Sequence, residues 1–350
     1  MPLSVSPLVF LAVFALSTAI VAALTPLAIR IGERYHLVDT PGGRRRHVGT
    51  IVRIGGLGLF PGFAIATLAT LVLPVPRSDL LEVTRLVGIL LGMAAVWITG
   101  RLDDRFRLPS WAQITGLVIA AGIAIGHKVF IELFNDPLTD IQIKVDWYLM
   151  VPITLLWIVG MTSTVNVLDG LDGLATGVTA IASLVLFVHM LRLGQHSVAL
   201  LPLALLGCCL GFLPYNFGRA RIFLGGGAYV LGYGLATLSI VSGAKVATAL
   251  SILWLPIVDF AWQIYSRWKR NQPPALGDRG HLHLRLADMG WPNRRIVGLY
   301  YVITAALGAI ALLVSSRLQK LAILGGAALA IVALLATLAR RSSAPPTSGR

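Results

Sequence analysis

The sequence predicts an all-α, polytopic integral membrane protein, and three observations carry that prediction. Of the 350 residues, 56% are hydrophobic and only 13% are charged, whereas about a quarter of the residues in soluble domains are charged. Apolar runs of about 20 residues, the length of a helix that crosses a bilayer, recur along the chain. The short segments between these runs hold most of the lysines and arginines. We therefore expect a single membrane domain over residues 1–340 and a disordered cytoplasmic tail at 341–350.

About eleven segments are long and apolar enough to be predicted as transmembrane helices. The first lies at the N-terminus and lacks the basic region of a cleaved signal peptide, so we expect it to remain as a span. The predicted spans are 5–29, 54–74, 83–100, 111–127, 147–165, 173–191, 198–214, 224–241, 246–263, 298–315 and 320–339.

The basic residues predict the orientation of these spans. With the N-terminus outside, the inner segments hold 21 of the 29 lysines and arginines, and the outer loops hold 8. Cytoplasmic loops are enriched in positive charge, so we expect a cytoplasmic C-terminus and a location in the inner (plasma) membrane. The net charge of +14 then reflects topology. Nucleic acid is not an expected partner, because the sequence has no basic soluble module of the kind that binds it.

The longest outer loop, 127–147, contains the alternating stretch IQIKVDWYL. Alternation of apolar and polar residues is typical of a β-strand. We expect a short hairpin there and assign no chemistry to it.

Polar residues gather in the segments predicted to be cytoplasmic, which are 30–53, 101–110, 166–172, 215–227 and 264–297. The first of these reads LVDTPGGRRRHVGT and includes Arg46 and His47. It is either an anchor that follows the positive-inside pattern or a phosphate site, since arginine and histidine bind phosphate through charge-assisted hydrogen bonds.

Acidic residues occupy two further loops. Asp103 and Asp104 end the third predicted span, and they indicate either a solvated helix end or a Mg²⁺ site, because Mg²⁺ takes oxygen ligands. Asn166, Asp169 and Asp172 follow in NVLDGLDGLA at i, i+3 and i+6. They lie near one face of a helix or in a compact turn. No basic residue neutralises this loop, and acids at the edge of hydrocarbon are usually functional.

The longest inner segment contains HLHLRL, in which His281, His283 and Arg285 alternate. On an extended chain this spacing places all three on one side. A zinc site needs further Cys or His ligands at suitable spacing, and none is evident. Phosphate binding is the favoured interpretation, and an ordinary basic loop is the alternative. Clustered carboxylates, phosphate-binding bases and adjacent spans together indicate phosphoryl chemistry on a substrate with one end in lipid.

The order of these motifs closely resembles a known family. DTP…RRRH…GG, LDDRF, NVLDGLDGLA, YNF…RIFLGG and HLHLRL are similar to the polyprenyl-phosphate N-acetylhexosamine-1-phosphate transferases of glycosyltransferase family 4, nearest to the WecA type and more distantly to MraY. The resemblance runs from about residue 39 to residue 290. It implies a Mg²⁺-dependent reaction, with Mn²⁺ as a possible substitute, between a UDP-N-acetylhexosamine and polyprenyl phosphate. The products are polyprenyl-diphospho-sugar and UMP, the first membrane step of cell-envelope polysaccharide synthesis. Family members are often homodimers.

The resemblance also implies residue roles. Asp103 binds or deprotonates the lipid phosphate, and Asp104 lies close to the metal, with Asp103 and Asp169 as further candidate ligands. The implied substrate-binding residues are Arg46 and His47 in the first loop, Asn166, Asp169 and Asp172 facing the nucleotide, Asn216 and Phe223 before the glycine-rich turn, and His281, His283 and Arg285 at the pyrophosphate.

Several positions depart from the family pattern. The glycine-rich turn reads GGGAY and lacks the usual metal-binding aspartate between Gly225 and Gly226. Ser163, Leu284 and Val52 replace an asparagine, a histidine and a proline, and SWAQITGLV lacks a clear counterpart of the usual lysine.

An active transferase is the favoured hypothesis. The alternative is a weak or inactive relative that binds polyprenyl phosphate or sugar nucleotide. A transporter would show internal repeats, which we do not find. A CDP-alcohol phosphotransferase would have arginine where Thr176 stands.

Overall fold

The computed structural model describes residues 5–39, 50–77, 79–135, 142–241, 246–273, 279–314 and 316–342. These parts are mostly helical, which confirms the prediction of a polytopic helical membrane protein. Seven of their helices are long and apolar enough to cross a bilayer. They are α1 (Pro7–Arg34), α3 (Glu82–Phe106), α5 (Trp147–Leu168), α6 (Leu174–Arg192), α7 (His196–Asn216), α12 (Asn293–Leu313) and residues Leu318–Leu338 of α13 (Arg317–Ser342).

Shorter apolar helices complete the bundle. They are α2 (Leu59–Ala69), which follows a 3-10 turn at Gly55–Leu57, α4 (Ser110–Gly126) and α8 (Gly227–Val241). Residues 227–240 of α8 are all buried, so this helix forms the centre of the bundle, between α3, α5 and α7. The count of eleven spans and their orientation stay predictions.

The predicted ninth span, 246–263, is wrong as one continuous helix. The chain forms α9 (Val246–Ile252) and α10 (Trp254–Lys269), separated at Leu253. The buried side of α10 carries polar residues, Asp259, Gln263 and Arg267, and its exposed side carries Tyr265 and Trp268. Asp259 and Gln263 form hydrogen bonds with residues 280–282 of the segment that follows, which explains why these polar side chains point inward.

Three predicted boundaries also need correction. The predicted loop 264–297 contains the end of α10, the short helix α11 (Leu282–Asp288) and the start of α12. The predicted loop 101–110 begins within α3, which continues to Phe106. In the predicted tail, α13 extends to Ser342, and residues 343–350 lie outside the described part of the chain.

The described residues contain two small antiparallel sheets, each of two strands. The predicted hairpin is confirmed as β3 (Leu133–Asn135) paired with β4 (Gln142–Lys144). The other sheet pairs β1 (Val38–Asp39) with β2 (Ile51–Val52), and Val52 also forms a parallel bridge to Ile222. The loop between α1 and α2 is thereby joined to the segment that precedes α8.

Candidate active site

A cavity of about 1010 Å³ opens at one end of the bundle, where α3, α5 and α7 end and α8 begins. Acids, amides and arginines line it together. The sequence-predicted residues among the lining are Asp103, Asn166, Asp169, Asp172, Asn216 and Phe223. Three of the predicted motifs, LDDRF, NVLDGLDGLA and YNF…RIFLGG, therefore meet around one space, although the roles of their residues in binding or catalysis stay predictions.

Asp103 lies in the last turn of α3 and faces this cavity. Its Oδ1 accepts hydrogen bonds from the Leu108 backbone N–H (2.9 Å) and from Nε2 of Gln113 (3.1 Å). The side-chain Oε1 of Gln113 accepts a bond from the Tyr229 hydroxyl (2.9 Å). A chain of neutral groups thus fixes the Asp103 carboxylate in one orientation.

Gln113 and Tyr229 also line the cavity, and sequence reasoning missed both. Gln113 stands in SWAQITGLV, the segment in which the family resemblance implied a lysine. A lone amide in the first turns of an otherwise apolar helix is a signal that points to this position, because a polar side chain near lipid needs a partner.

Asp104, the neighbouring acid, is buried behind the glycine-rich turn and does not line the cavity. Its Oδ2 lies 2.6 Å from Nη2 of Arg101, and its Oδ1 accepts a hydrogen bond from the Gly226 N–H (3.0 Å). Nε of Arg53 lies 3.7 Å from Oδ1. The Asp104 side chain is only 3% exposed and is absent from the cavity lining.

The glycine-rich turn packs tightly against these groups. Gly225 has a φ of +56°, and a Cβ there would lie 2.3 Å from the Arg53 carbonyl oxygen and 2.6 Å from Oδ1 of Asp104. A Cβ on Gly226 would lie 2.4 Å from backbone atoms of Gly100 in α3. Because real Cβ atoms do not approach so closely, only glycine fits this conformation and this space.

Backbone hydrogen bonds hold the turn from the other side. The Phe223 N–H donates to the Val52 carbonyl (2.8 Å), the Gly55 N–H donates to the Phe223 carbonyl (2.9 Å), and the Gly56 N–H donates to that of Leu224 (3.0 Å). These bonds join the loop before α2 to the segment before α8, and they define the side of the cavity that Phe223 lines.

The acids of NVLDGLDGLA occupy a helix end and a compact turn. Asn166 lies in the last turn of α5, Asp169 follows its final residue, and Asp172 lies in the turn before α6. Oδ2 of Asp172 accepts a hydrogen bond from the Ala220 N–H (3.3 Å). Burial, followed by the neighbouring carboxylates of Asp104 and Asp172, raises the pKa of Asp169 well above its usual range. A cation in the cavity would relieve this crowding of like charges.

Asn216 holds this turn in place. Its side chain is buried, at 2% exposure, and its Oδ1 accepts bonds from the Gly173 N–H (3.0 Å) and the Thr176 hydroxyl (3.2 Å). Its Nδ2 donates to the Ile222 carbonyl (3.0 Å). These bonds connect residues 169–173, here called the acid turn, to the segment before α8, so the Asn216 amide supports the cavity wall.

We predict that Asn216→Ala destabilises the protein by about 3 kcal/mol, because it leaves a buried N–H and a buried carbonyl without partners. Thermal unfolding of the purified protein in detergent measures the change. Asn293→Ala, a substitution at an exposed cavity-lining position, is the matched control and should change stability by less than about 0.5 kcal/mol. Equal thermal midpoints for the two variants would contradict the support role.

The segment HLHLRL does not form the extended strand on which all three side chains share one side. Residues 282–288 form α11, and His281 precedes its first residue. His281 and His283 are buried, and Leu284, not a histidine, lines the cavity. Helical spacing turns these side chains in different directions, which is the physical reason for the difference.

Both histidines contact buried groups. Nδ1 of His281 lies 3.0 Å from Oδ2 of Asp259. The other oxygen of Asp259, Oδ1, accepts a hydrogen bond from the Leu282 N–H (3.0 Å). His283 is 0% exposed and packs against Gly170 in the acid turn. Burial lowers the pKa of His283 to about 4, so its ring is neutral near pH 7. The Nε of Arg285 donates to the Gly280 carbonyl.

Arginines supply the positive charge at the cavity. Arg53, Arg219 and Arg279 line it, and Arg279 forms a two-bond ion pair with Asp288 (2.8 and 3.0 Å). The sequence-predicted Arg46 and His47 lie outside the described residues. Guanidinium groups bind phosphate oxygens with matching geometry, so these three arginines are suited to a phosphorylated ligand.

The carboxylate oxygens around the cavity are of the kind that binds Mg²⁺. Mg²⁺ is usually held by one or two carboxylates together with substrate phosphates and water. Asp103, Asp169 and Asp172 offer such oxygens to the cavity. Within the described residues, no three His, Cys, Asp or Glu side chains already form a metal cluster. The arrangement therefore fits an ion whose coordination a bound phosphate completes.

The fold and the site define a helical membrane protein with carboxylates and arginines around a cavity at one end of its bundle. Comparison with known proteins specifies the family. The model of "Glycosyl transferase family 4" matches residues 86–243, which include the acidic pair, the acid turn and the glycine-rich turn.

Similar proteins cover most of the chain. A probable undecaprenyl-phosphate N-acetylglucosaminyl 1-phosphate transferase of Bacillus subtilis is 32% identical over 83% of this chain and 80% of its own. A decaprenyl-phosphate N-acetylglucosaminephosphotransferase of Mycobacterium tuberculosis is 30% identical over 96% of this chain and 91% of its own. A phospho-N-acetylmuramoyl-pentapeptide-transferase of Clostridioides difficile is 35% identical over 51% of this chain and 55% of its own. The chain belongs to glycosyl transferase family 4, among its polyprenyl-phosphate N-acetylhexosamine-1-phosphate transferases.

Proposed function

We propose that this protein transfers N-acetylhexosamine 1-phosphate from a UDP-sugar to polyprenyl phosphate, giving polyprenyl-diphospho-sugar and UMP. The observation that carries the proposal is the meeting of three motifs, LDDRF, NVLDGLDGLA and YNF…RIFLGG, around one cavity at the end of a membrane bundle. The names of the relatives support N-acetylglucosamine as the sugar. In a cell this reaction is the first membrane step of envelope polysaccharide synthesis.

The reaction exchanges one phosphate bond for another. An oxygen of polyprenyl phosphate bonds to the β-phosphorus of the UDP-sugar, while the bond from that phosphorus to the bridging oxygen breaks and UMP leaves with that oxygen. Asp103, fixed by Gln113 and facing the cavity, orients the lipid phosphate and accepts its proton. Arg53, Arg219 and Arg279 bind the phosphate oxygens. Asp103, Asp169 and Asp172 would hold Mg²⁺, which would act there as a Lewis acid and neutralise the charge of the diphosphate.

The proposed site lies at the cytoplasmic face of the inner membrane. This location follows from eleven proposed crossings, in which α9 and α10 together form the ninth. The excess of arginine and lysine in the inner segments supports this orientation. A cytoplasmic site has access to nucleotide sugars, and the lipid tail stays in the bilayer. A homodimer is the proposed assembly, supported only by the family resemblance.

UMP release from the purified full chain tests the reaction. With Mg²⁺, undecaprenyl phosphate and UDP-N-acetylglucosamine, we expect UMP to form in proportion to enzyme. Chelation with EDTA should abolish release, and added Mg²⁺ or Mn²⁺ should restore it, because the diphosphate charge is otherwise unneutralised. Parallel reactions with UDP-N-acetylgalactosamine define the sugar. Reactions without the lipid are the control, and UMP formation that ignores the lipid would contradict the proposal.

A weak or inactive relative is the second candidate, and one observation favours it. The turn at Gly225 and Gly226 lacks an acid. The relatives carry names of transferases and give this alternative no support. Binding of UDP-N-acetylglucosamine without any UMP release would establish it.

A further inference from the structure

The two adjacent acids at the end of α3 have opposite surroundings. Asp103 faces the cavity and is held by neutral donors. Asp104 is held by two guanidinium groups and a backbone N–H on its buried side. Two adjacent aspartates thus give one carboxylate that lines the cavity and one that does not.

Both oxygens of Asp104 lie close to positively charged or N–H groups, although Oδ2 accepts no hydrogen bond from the described residues and is held by the ion pair alone. Oδ2 pairs with Arg101 at 2.6 Å, and Oδ1 accepts the Gly226 N–H at 3.0 Å with Arg53 nearby at 3.7 Å. A metal ligand needs an oxygen that faces the ion, and an acid already paired with arginine loses that pairing on binding a metal. The Asp104 side chain is 3% exposed and does not line the cavity.

Arg101 connects the same region to the loop before α2. Its Nη1 donates to the Ile54 carbonyl (3.2 Å), and Nε1 of Trp97, one turn earlier in α3, donates to the Gly56 carbonyl (3.1 Å). The Arg101–Asp104 pair therefore contacts α3, the loop at 54–56 and the glycine-rich turn at once. These are the three elements whose backbones meet at Gly56, Gly100 and Gly226.

We propose that Arg101 and Asp104 form a clamp that positions the glycine-rich turn, and that Asp104 is a positioning residue and not a metal ligand. A shortened turn without its own acid is held by the acid of a neighbouring helix. Binding of a divalent cation then depends on the carboxylates that line the cavity. The clamp itself is independent of the proposed function, whereas its consequence for metal binding rests on that function.

A double-mutant cycle tests the clamp. We expect Asp104→Asn and Arg101→Met each to lower the thermal midpoint of the full chain in detergent by about 4 °C or more. The double variant should fall little further than the worse single variant, because the partners act as a unit. Asp79→Asn and Arg85→Met, which break an exposed ion pair at the other end of α3, should lower the midpoint by about 1 °C or less. Additive shifts for Arg101 and Asp104 would overturn the clamp.

Divalent-cation binding separates a clamp from a metal site. With Mn²⁺ as the probe and UDP present, we expect Asp104→Asn to change the Kd measured by electron paramagnetic resonance by less than about threefold. Asp169→Asn should weaken it by at least about tenfold. A tenfold loss in Asp104→Asn with an unchanged thermal midpoint would make Asp104 a ligand and overturn the proposal.

Two further outcomes remain informative. If Asp104→Asn does not fold while Asp103→Asn does, the result supports a structural role for Asp104. Arg101→Lys keeps the positive charge, so it should recover part of the stability that Arg101→Met loses. If the wild-type protein releases no UMP, the proposed function fails, and the thermal cycle still decides whether the clamp exists.

Discussion

Asp103→Asn is expected to lower UMP release by at least about 1000-fold. Asparagine keeps the size of the side chain and an oxygen that accepts from Leu108 and Gln113, so the local structure should persist. What the variant loses is the negative charge that faces the cavity, and with it the proton acceptor and a metal ligand. Initial rates at saturating UDP-N-acetylglucosamine and lipid measure the effect.

Asp79→Asn is the matched control for this prediction. Asp79 lies just before α3, at the opposite end of that helix, in an exposed ion pair with Arg85. The same chemical change there should leave the rate within about twofold of the wild-type value, because the pair is solvated. A rate in Asp103→Asn above about a tenth of the wild-type value would show that this carboxylate is not required.

Gly226→Ala is expected to have the largest effect on stability. The added methyl group would lie 2.4 Å from the Gly100 backbone in α3, and backbone atoms cannot move aside as a flexible side chain can. Separation of α3 from the turn would break the Gly226 N–H bond to Asp104. We expect a loss of about 3 kcal/mol or more and no detectable UMP release. Thermal unfolding and size-exclusion chromatography follow the change.

Gly122→Ala in α4 provides the comparison. No neighbouring atom lies within 4 Å of the position that a Cβ would occupy there. Alanine is favoured over glycine in a helix by about 1 kcal/mol, so this variant should be at least as stable as the wild type and fully active. If Gly226→Ala matched it in midpoint and in activity, the close approach of the turn to α3 would be refuted.

The sequence patterns predicted what depends on local chemistry. Apolar runs of bilayer length predicted the helical bundle, and the acids Asp103, Asp169 and Asp172 stood out because charge at the edge of hydrocarbon needs a reason. Both signals survive in the structure, as spans and as cavity-lining side chains. Alternation in the loop between α4 and α5 likewise predicted a hairpin, because a period of two fits only an extended chain.

The remaining features depend on tertiary packing. Alternation predicted a shared face for His281 and His283, yet a carboxylate from α10 pairs with one ring while the other is buried against the acid turn. The contact of Gln113 with Asp103 and Tyr229 joins three helices. No pattern within a single segment predicts such a contact. The periodicity of a helix shows which of its sides is apolar, but not which residues of other helices it contacts.

The order in which the chain is made gives the Arg101–Asp104 pair a second consequence. Gly226 follows Asp104 by 122 residues, so during synthesis the carboxylate waits at the edge of the bilayer while four more helices, α4 to α7, are made. Arg101 is only three residues away and is in place as soon as the helix forms. A nascent chain that carries its own counterion can insert this helix end without a bare charge, and the turn made later closes on a neighbour that is already neutral. Membrane integration and assembly of the cavity are thus two separate events in the life of one ion pair.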